Sequence, residues 1–427
     1  MAALNIYTDQ YLSLQSSLKE YHVTPSLTLS AAPDRLPIGA LLALAMTGFI
    51  CIVTETLPAG LLPLISEGLT ISPSMAGQMV TAYALGSVLA VIPMTIATRG
   101  WRRRNVLLLT IVGFLLFNSI TALSSHYGVT LVARFFAGVA AGLAWSLLAG
   151  YARRMVAPHQ QGRALALAMV GTPIALSLGV PLGTWLGGLV GWRTTFGLMS
   201  VLTLGLIAWV LVKVPDYPPQ AAHQRTSLRT VLTTPGVRSV LAVVISWMLA
   251  HNILYTYIAP FVASAGLVDR VDLVLLVFGM AALAGIWVTA KLVEPLLRKT
   301  VLTSLAAFAA VCVVFGFLGS VPEVIYIGVA VWGLSFGGAA TLLQTALADA
   351  AGDGADVALS LNVVAWNSAI AGSGVVGGVL LDRWGVASFP WAMMVLAGTG
   401  FAIAWGARAH GFKSGPRGDG RPAVAGH

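Results

Sequence analysis

Residues 36–64 read LPIGALLALAMTGFICIVTETLPAGLLPL, an apolar run long enough to cross a bilayer with one carboxylate, Glu55, set inside it. A span needs about 20 apolar residues. Similar runs recur at 37–63, 75–98, 105–124, 129–152, 164–190, 194–213, 238–263, 272–292, 299–319, 323–348, 357–380 and 386–408, so the chain reads as an all-α membrane protein of twelve transmembrane helices. Composition agrees: the 427 residues are 57% hydrophobic and 9% charged, against about 25% charged in a soluble domain, and the mean hydropathy is +0.86.

The formal net charge of +9 invites a nucleic-acid reading, but its distribution argues against one. With the N-terminus placed inside, 20 of the 24 Lys and Arg fall in inside loops and tails, only Arg193, Arg270 and Arg383 fall outside, and Arg134 lies within a span. That asymmetry is the positive-inside pattern and predicts both termini in the cytoplasm. The domain reading is a polar cytoplasmic tail (1–35), a six-helix bundle (36–214), a cytoplasmic linker (215–235), a second six-helix bundle (236–408) and a cytoplasmic tail (409–427). Residues 1–35 lack the basic and apolar blocks of a signal peptide. Cys51 and Cys312 both fall inside spans, which argues against a disulfide.

Internal echoes point to duplication. Gly138 and Gly142 of span four recur as Gly333 and Gly337 of span ten, 195 positions later, and Arg163–Leu167 is echoed 194 later by Val357–Leu361. Two such halves fit a rocking carrier with its site at the midplane. Position 134 is Arg in the first half and Val329 in the second, and matching Pro58 to Pro260 sets Glu55 opposite Tyr257.

A carboxylate at membrane depth costs roughly 2.5 kcal/mol or more and faces a cavity, an ion path or a buried partner. Glu55 is therefore the first candidate for proton coupling; the alternative is a helix-end carboxylate wet at the outer interface. Pro58 loosens the helix next to it. Arg134 keeps its charge and can bias a neighbouring carboxylate, or it ties span four to carbonyls of span one. His251 titrates near neutrality in water and shares a helix face with Tyr255; the alternative is a buried imidazole satisfied by a hydroxyl. Tyr255, Tyr257, Gln344, Asn362, Trp366 and Asn367 are candidates for the substrate-cavity wall.

The motifs Thr54-Glu55-x-x-Pro58-x-Gly60-Leu61-Leu62-Pro63, Arg134 with Gly138 and Gly142, and Gly179-x-Pro181-x-Gly183 resemble the major facilitator superfamily, in its twelve-span drug:proton antiporter branch and closest to bacterial sugar, nucleoside and drug efflux permeases. The resemblance implies two pseudo-symmetric six-helix bundles, a bacterial inner-membrane setting and a monomeric carrier that exchanges protons for small neutral or amphipathic molecules. It further implies that Gly171, Pro173, Gly179, Pro181 and Gly183 form the exporter motif of span five, though their spacing departs from the usual one. Arg103 and Arg104 stand in the basic loop between spans two and three, where Arg99 replaces the aspartate the family carries; Glu294 is a candidate acid in the equivalent later loop. An uptake symporter is the alternative reading. Gly333-Leu334-Ser335-Phe336-Gly337 matches a hydrolase elbow, but that motif needs a strand-to-helix turn, so an intramembrane enzyme is remote. No nucleotide loop occurs, Asp349, Asp353 and Asp356 read as a solvated loop, and no cofactor or metal is expected.

Overall fold

The computed structural model describes residues 36–219 and 227–415; the expected N-terminal tail, residues 220–226 of the linker and residues 416–427 lie outside the described residues. Described elements are all helical. Span one runs Ile38–Gly60 and continues as Leu62–Leu69. Spans two to six are Pro73–Ala97, Arg103–Leu123, Tyr127–Arg154, Gln161–Val190 and Trp192–Lys213. Span seven is Val237–Thr256 continued by Ile258–Ala263, span ten Pro322–Gly337 continued by Ala339–Ala351, and the last two are Ala355–Trp384 and Phe389–Gly406. Starts follow local rules: Pro73 opens span two at a position whose N–H has no helical partner, and Ser72 Oγ accepts the Met75 N–H at 3.2 Å.

Spans eight and nine form one assigned helix, Val271–Leu318, of 48 residues. Straight, it would reach roughly 70 Å, more than twice the apolar thickness of a bilayer. It bends at Leu296 (φ −139°, ψ 29°), directly after Pro295. Phe278 and Phe308, on opposite sides of that bend, both stack near Trp332, with centroids 4.4 and 6.5 Å away. Two residues 30 positions apart can share one neighbour only if the chain doubles back. The helix is thus two crossings, and the described residues cross twelve times.

The 195-residue repeat is structural. A Cβ on Gly138 would strike the Tyr83 carbonyl, and one on Gly142 would lie 2.6 Å from the Ser87 carbonyl. Gly333 and Gly337 meet the carbonyls of Phe278 and Ala282 in the same way. All four pairs of equivalents (138/333, 142/337, 83/278, 87/282) are 195 apart, so span four lies on span two as span ten lies on span eight. Small residues that admit a neighbouring backbone are the usual glue of membrane helices. Gly191 (φ 85°) and Gly385 (φ 72°) end spans five and eleven in the left-handed half of backbone space that suits glycine.

Helix breaks refine the register. Span one breaks at Leu61 (φ −100°, ψ 8°) and span seven at Tyr257 (φ −110°, ψ 30°), 196 apart. Their outer turns close at Thr70 (φ 55°) and Gly266 (φ 73°), again 196 apart. On this register Glu55 is equivalent to His251, not to Tyr257. The proline match at Pro58 and Pro260 gave the wrong pairing because the two helices break at different distances from their prolines.

The halves meet firmly at the end opposite the arginine-rich loops. Tyr257, 0% exposed, donates its hydroxyl to the Gly374 carbonyl at 2.7 Å and reaches the Ser74 carbonyl at 3.3 Å. Gln78 Nε2 donates to Gly374 at 3.0 Å. Gly279 of span eight accepts the Leu176–Ser177 backbone of span five, where an added Cβ would lie 2.8 Å from the Leu176 carbonyl.

Two outcomes are expected. Gly138→Leu overpacks a backbone contact and costs about 1–3 kcal/mol, read as earlier thermal unfolding in detergent, whereas Gly188→Leu, with open space around it, leaves the melting curve unchanged. Tyr257→Phe removes a hydroxyl from two buried carbonyls, worth about 1 kcal/mol, and should speed hydrogen exchange at residues 371–378 without altering exchange at 83–90.

Candidate functional site

Because span one continues to Leu69, Glu55 sits near the middle of the whole span rather than at a wet end. It is 6% exposed. Its Oε1 is buried and has no hydrogen-bond partner. The turn around it is held by side chains of neighbouring spans: Asn118 Nδ2 donates to Thr54 Oγ1 at 3.0 Å, and Tyr83 donates its hydroxyl to the Cys51 carbonyl at 2.9 Å.

Arg134 is 0% exposed and faces the same turn. Its Nη2 donates to the backbone carbonyl of Glu55 at 3.3 Å and its Nε to that of Met79 at 3.4 Å. The rings of Tyr83 and Phe196 cover the guanidinium at 4.9 and 5.6 Å. Nη1 is left without a partner. Arg134 therefore does tie span four to spans one and two through carbonyls, as the structural alternative required, and it still presents one donor to the Glu55 neighbourhood. Of the described residues, Glu55, Arg103, Arg134 and His251 are the buried members of the acid, base and histidine set, and only Glu55 and Arg134 share a site.

Across the interface, span seven carries Trp247, His251 and Tyr255 at intervals of four, on one helix face. Trp332 Nε1 donates to His251 Nδ1 at 3.0 Å, so that nitrogen bears no proton. Phe336 stacks on the imidazole with centroids 3.5 Å apart, and Phe278 and Tyr255 flank it at 5.6 and 5.4 Å. The histidine is satisfied by an indole rather than by the hydroxyl expected from sequence. Tyr255 lies beside Thr56 and Glu55, yet its hydroxyl completes no hydrogen bond. Trp247 Nε1, Thr256 Oγ1 and Asn362 Oδ1 are likewise buried and unpaired. Trp366 stands 6.4 Å from Phe336.

The other candidates divide. Tyr257 is a strut of the closed end, its hydroxyl held at the Gly374 and Ser74 carbonyls. Asn367 Nδ2 donates to the Val363 carbonyl of its own helix at 3.0 Å. Gln344 is exposed, two turns beyond Phe336. Ser335 donates to the Trp332 carbonyl at 2.9 Å and its flanking glycines face span eight, so the elbow-like motif is a helix-packing motif. Sequence reading missed Tyr83, Asn118, Trp247, Phe278 and Phe336; only Trp247 carried a visible signal, its spacing of four from His251.

Span five packs on span one through Gly171, Ala175, Gly179, Gly183 and Gly187, a stripe of period four. A Cβ on Gly171 would strike the Ala45 carbonyl, one on Gly179 would lie 2.8 Å from Phe49 and Val53, and one on Gly183 would lie 2.7 Å from Leu57. Between Pro173 and Pro181 the turn widens to a π-helical one over Ala175–Gly179. Pro181 has no N–H to return to the Ser177 carbonyl. The glycines of the expected exporter motif therefore seat the glutamate-bearing helix, while Leu176 and Ser177 between them touch span eight.

The basic loop also differs from expectation. Its acid is Asp216, just after span six, which pairs with Arg102 and accepts the Arg104 N–H at 3.3 Å. Desolvation works against the charge of Asp216, but these hydrogen bonds outweigh it and hold its carboxyl below the usual carboxylate range.

These features have close counterparts. A sequence model of the Major Facilitator Superfamily matches residues 44–374. The chain is 26% identical over 374 residues to a probable sugar efflux transporter of Mannheimia succiniciproducens, covering 87% of this chain and 94% of that one. It is 30% identical over 355 residues to the purine ribonucleoside efflux pump NepI of Escherichia coli, covering 82% and 87%. Among solved structures, a D-xylose–proton symporter superposes with a TM-score of 0.72 at 15% identity, covering 88% of this chain and 98% of the other. A bacterial homologue of the lysosomal transporter Spinster, inward-facing and unoccupied, superposes at 0.65 with 12% identity, covering 89% and 98%. With its twelve spans, its two equivalent halves and a match over most of its length, the chain belongs to the major facilitator superfamily of secondary transporters.

Proposed function

We propose that this protein exports small neutral solutes, nucleosides foremost and sugars next, across the bacterial inner membrane in exchange for protons, as a single chain with both termini in the cytoplasm. The observation that carries the reading is Glu55: a carboxylate 6% exposed, at mid-span, with an unpaired oxygen, next to a fully buried guanidinium that has a donor to spare.

In this scheme the ionised carboxylate is stabilised by Arg134 and by the hydroxyl-bearing side chains around it, and the site accepts substrate from the cytoplasmic side. Met46, Phe49, Ile52 and Thr56 form a partly exposed stripe on span one that leads from the Glu55 turn toward the arginine-rich end. When the opposite end opens, a proton from outside neutralises Glu55. Arg134 then loses its counter-charge, the polar contacts of the substrate are disrupted, and the solute leaves. Return of the protonated carrier releases the proton inward. His251, whose Nδ1 already accepts an N–H, serves as wall rather than as a second proton carrier.

The second half supplies the substrate's surface. Phe336 and Trp366 offer flat faces, and the unpaired Trp247 N–H and Tyr255 hydroxyl offer hydrogen bonds. Aromatic faces with a few fixed polar groups suit a flat, uncharged, polar solute. A nucleobase has that shape, and one relative is named as a purine ribonucleoside efflux pump; the sugar named for another relative fits the same faces less fully.

In everted membrane vesicles with an imposed proton gradient, wild-type protein should drive labelled inosine inward, the direction that corresponds to export from a cell. Glu55→Gln should reduce this to the level of vesicles without the protein while its abundance in the membrane stays normal. Gradient-driven movement undiminished in that variant rejects the coupling role, and movement in the reverse direction selects the uptake reading.

A further inference from the structure

Arg103 and Arg298 stand 195 positions apart, at the starts of spans three and nine, and spend their donors differently. Arg298 is satisfied by the chain itself: Nη1 donates to the carbonyls of Ala404 (2.7 Å) and Phe412 (3.2 Å), and Nη2 to that of Trp405 (2.7 Å). Arg103, 7% exposed, donates from Nη2 to the Arg99 carbonyl at 2.7 Å. Its Nε is buried with no partner. The equivalent of Phe412 is Tyr217, and its carbonyl is taken by the Arg103 backbone N–H at 2.9 Å instead of by a guanidinium. The acceptor that serves the Arg298 guanidinium is thus not left over for that of Arg103.

Arg103 lines a small, open-mouthed cleft, together with Thr98, Ser146, Tyr151, Arg154 and Tyr217. Arg154 lies over the Tyr217 ring at 4.8 Å and donates from Nη1 to the Pro218 carbonyl at 3.3 Å. Arg103 and Arg154 are close enough for their charges to oppose each other. Among the described residues no carboxylate lines the cleft, and the nearby Asp216 is committed to Arg102 and to the Arg104 N–H. The hydroxyls of Thr98 and Ser146 donate to carbonyls of their own helices. What the cleft offers is two guanidinium groups and no counter-charge.

We propose that this cleft is an oxyanion site that takes a phosphate group, carried on the headgroup of an anionic phospholipid or supplied as free phosphate. Guanidinium forks match phosphate oxygens in charge and geometry. The exposed side chains Leu89, Ile92 and Ile96 run along span two away from the cleft, a track that fits the acyl chains of the lipid source. A phosphate bridging Arg103 and Arg154 removes the repulsion between the ends of spans three and four and fixes the Val214–Pro219 strap across them.

Native mass spectrometry of delipidated protein with phosphatidylglycerol against phosphatidylcholine tests the lipid source, and thermal melting with added inorganic phosphate tests the free one. Wild type should keep one phosphatidylglycerol in preference to phosphatidylcholine, and Arg103→Gln and Arg154→Gln should each weaken that retention at least tenfold. Arg153→Gln, exposed and outside the cleft, should behave as wild type. A melting rise with inorganic phosphate, lost in the two cleft variants and without lipid preference, supports the site and identifies free phosphate as its ligand. Arg154 is exposed, so Arg154→Gln keeps the test readable should Arg103→Gln fail to fold. If wild type shows neither response, or the cleft variants keep both, the proposal is overturned.

Discussion

A guanidinium sealed at mid-membrane is the constraint around which the first half is arranged. Arg134 cannot shed its charge under any ordinary condition, and burying an unpaired cation costs several kcal/mol. The structure spends two carbonyls, two aromatic faces and one nearby carboxylate on it. Spans one, two and four are thereby fixed to one another, and the chemical state of Glu55 becomes tied to how well the cation is compensated. In the proposed cycle that tie converts one proton into a change of preference between two arrangements of the halves.

The second half answers with aromatic surface instead of charge. The position equivalent to Glu55 holds His251, which is stacked on Phe336 and accepts an indole N–H at Nδ1. The position equivalent to Arg134 is Val329. Duplication thus preserved the packing, down to glycine contacts on matching carbonyls, while the ionisable chemistry remained on one side. In the proposed cycle such an asymmetric carrier needs only one proton site and devotes its other face to holding the solute.

Much of this was legible in sequence because membrane spans are set by length and polarity, and because close helix contacts demand glycine at fixed spacing. The spans, the six-plus-six order and the Gly138/Gly333 and Gly142/Gly337 pairs follow from those demands. Three things escaped. The register between halves depends on breaks at Leu61 and Tyr257 that lie beyond the proline or well before it, so aligning prolines misplaced the partner of Glu55. The aromatic wall joins spans seven, eight and ten, whose touching members are 23 to 89 positions apart where they come from different spans, and no local pattern signals their meeting. Asp216 reaches the basic loop from 112 positions away, so the loop looked acid-free. Tyr257, a cavity-wall candidate as a polar aromatic in a span, has its hydroxyl on two carbonyls where the halves meet, a tie between distant spans that no local pattern announces.

In the proposed cycle substrate and a single proton compete for one site governed by Glu55. This competition is tested most directly by following pH with an indicator dye as substrate is added to purified, weakly buffered protein in detergent. It predicts release of about one proton per protein on substrate addition, and none from Glu55→Gln, which should still bind. Proton release of equal size from that variant, or substrate binding by wild type without any release, would contradict it.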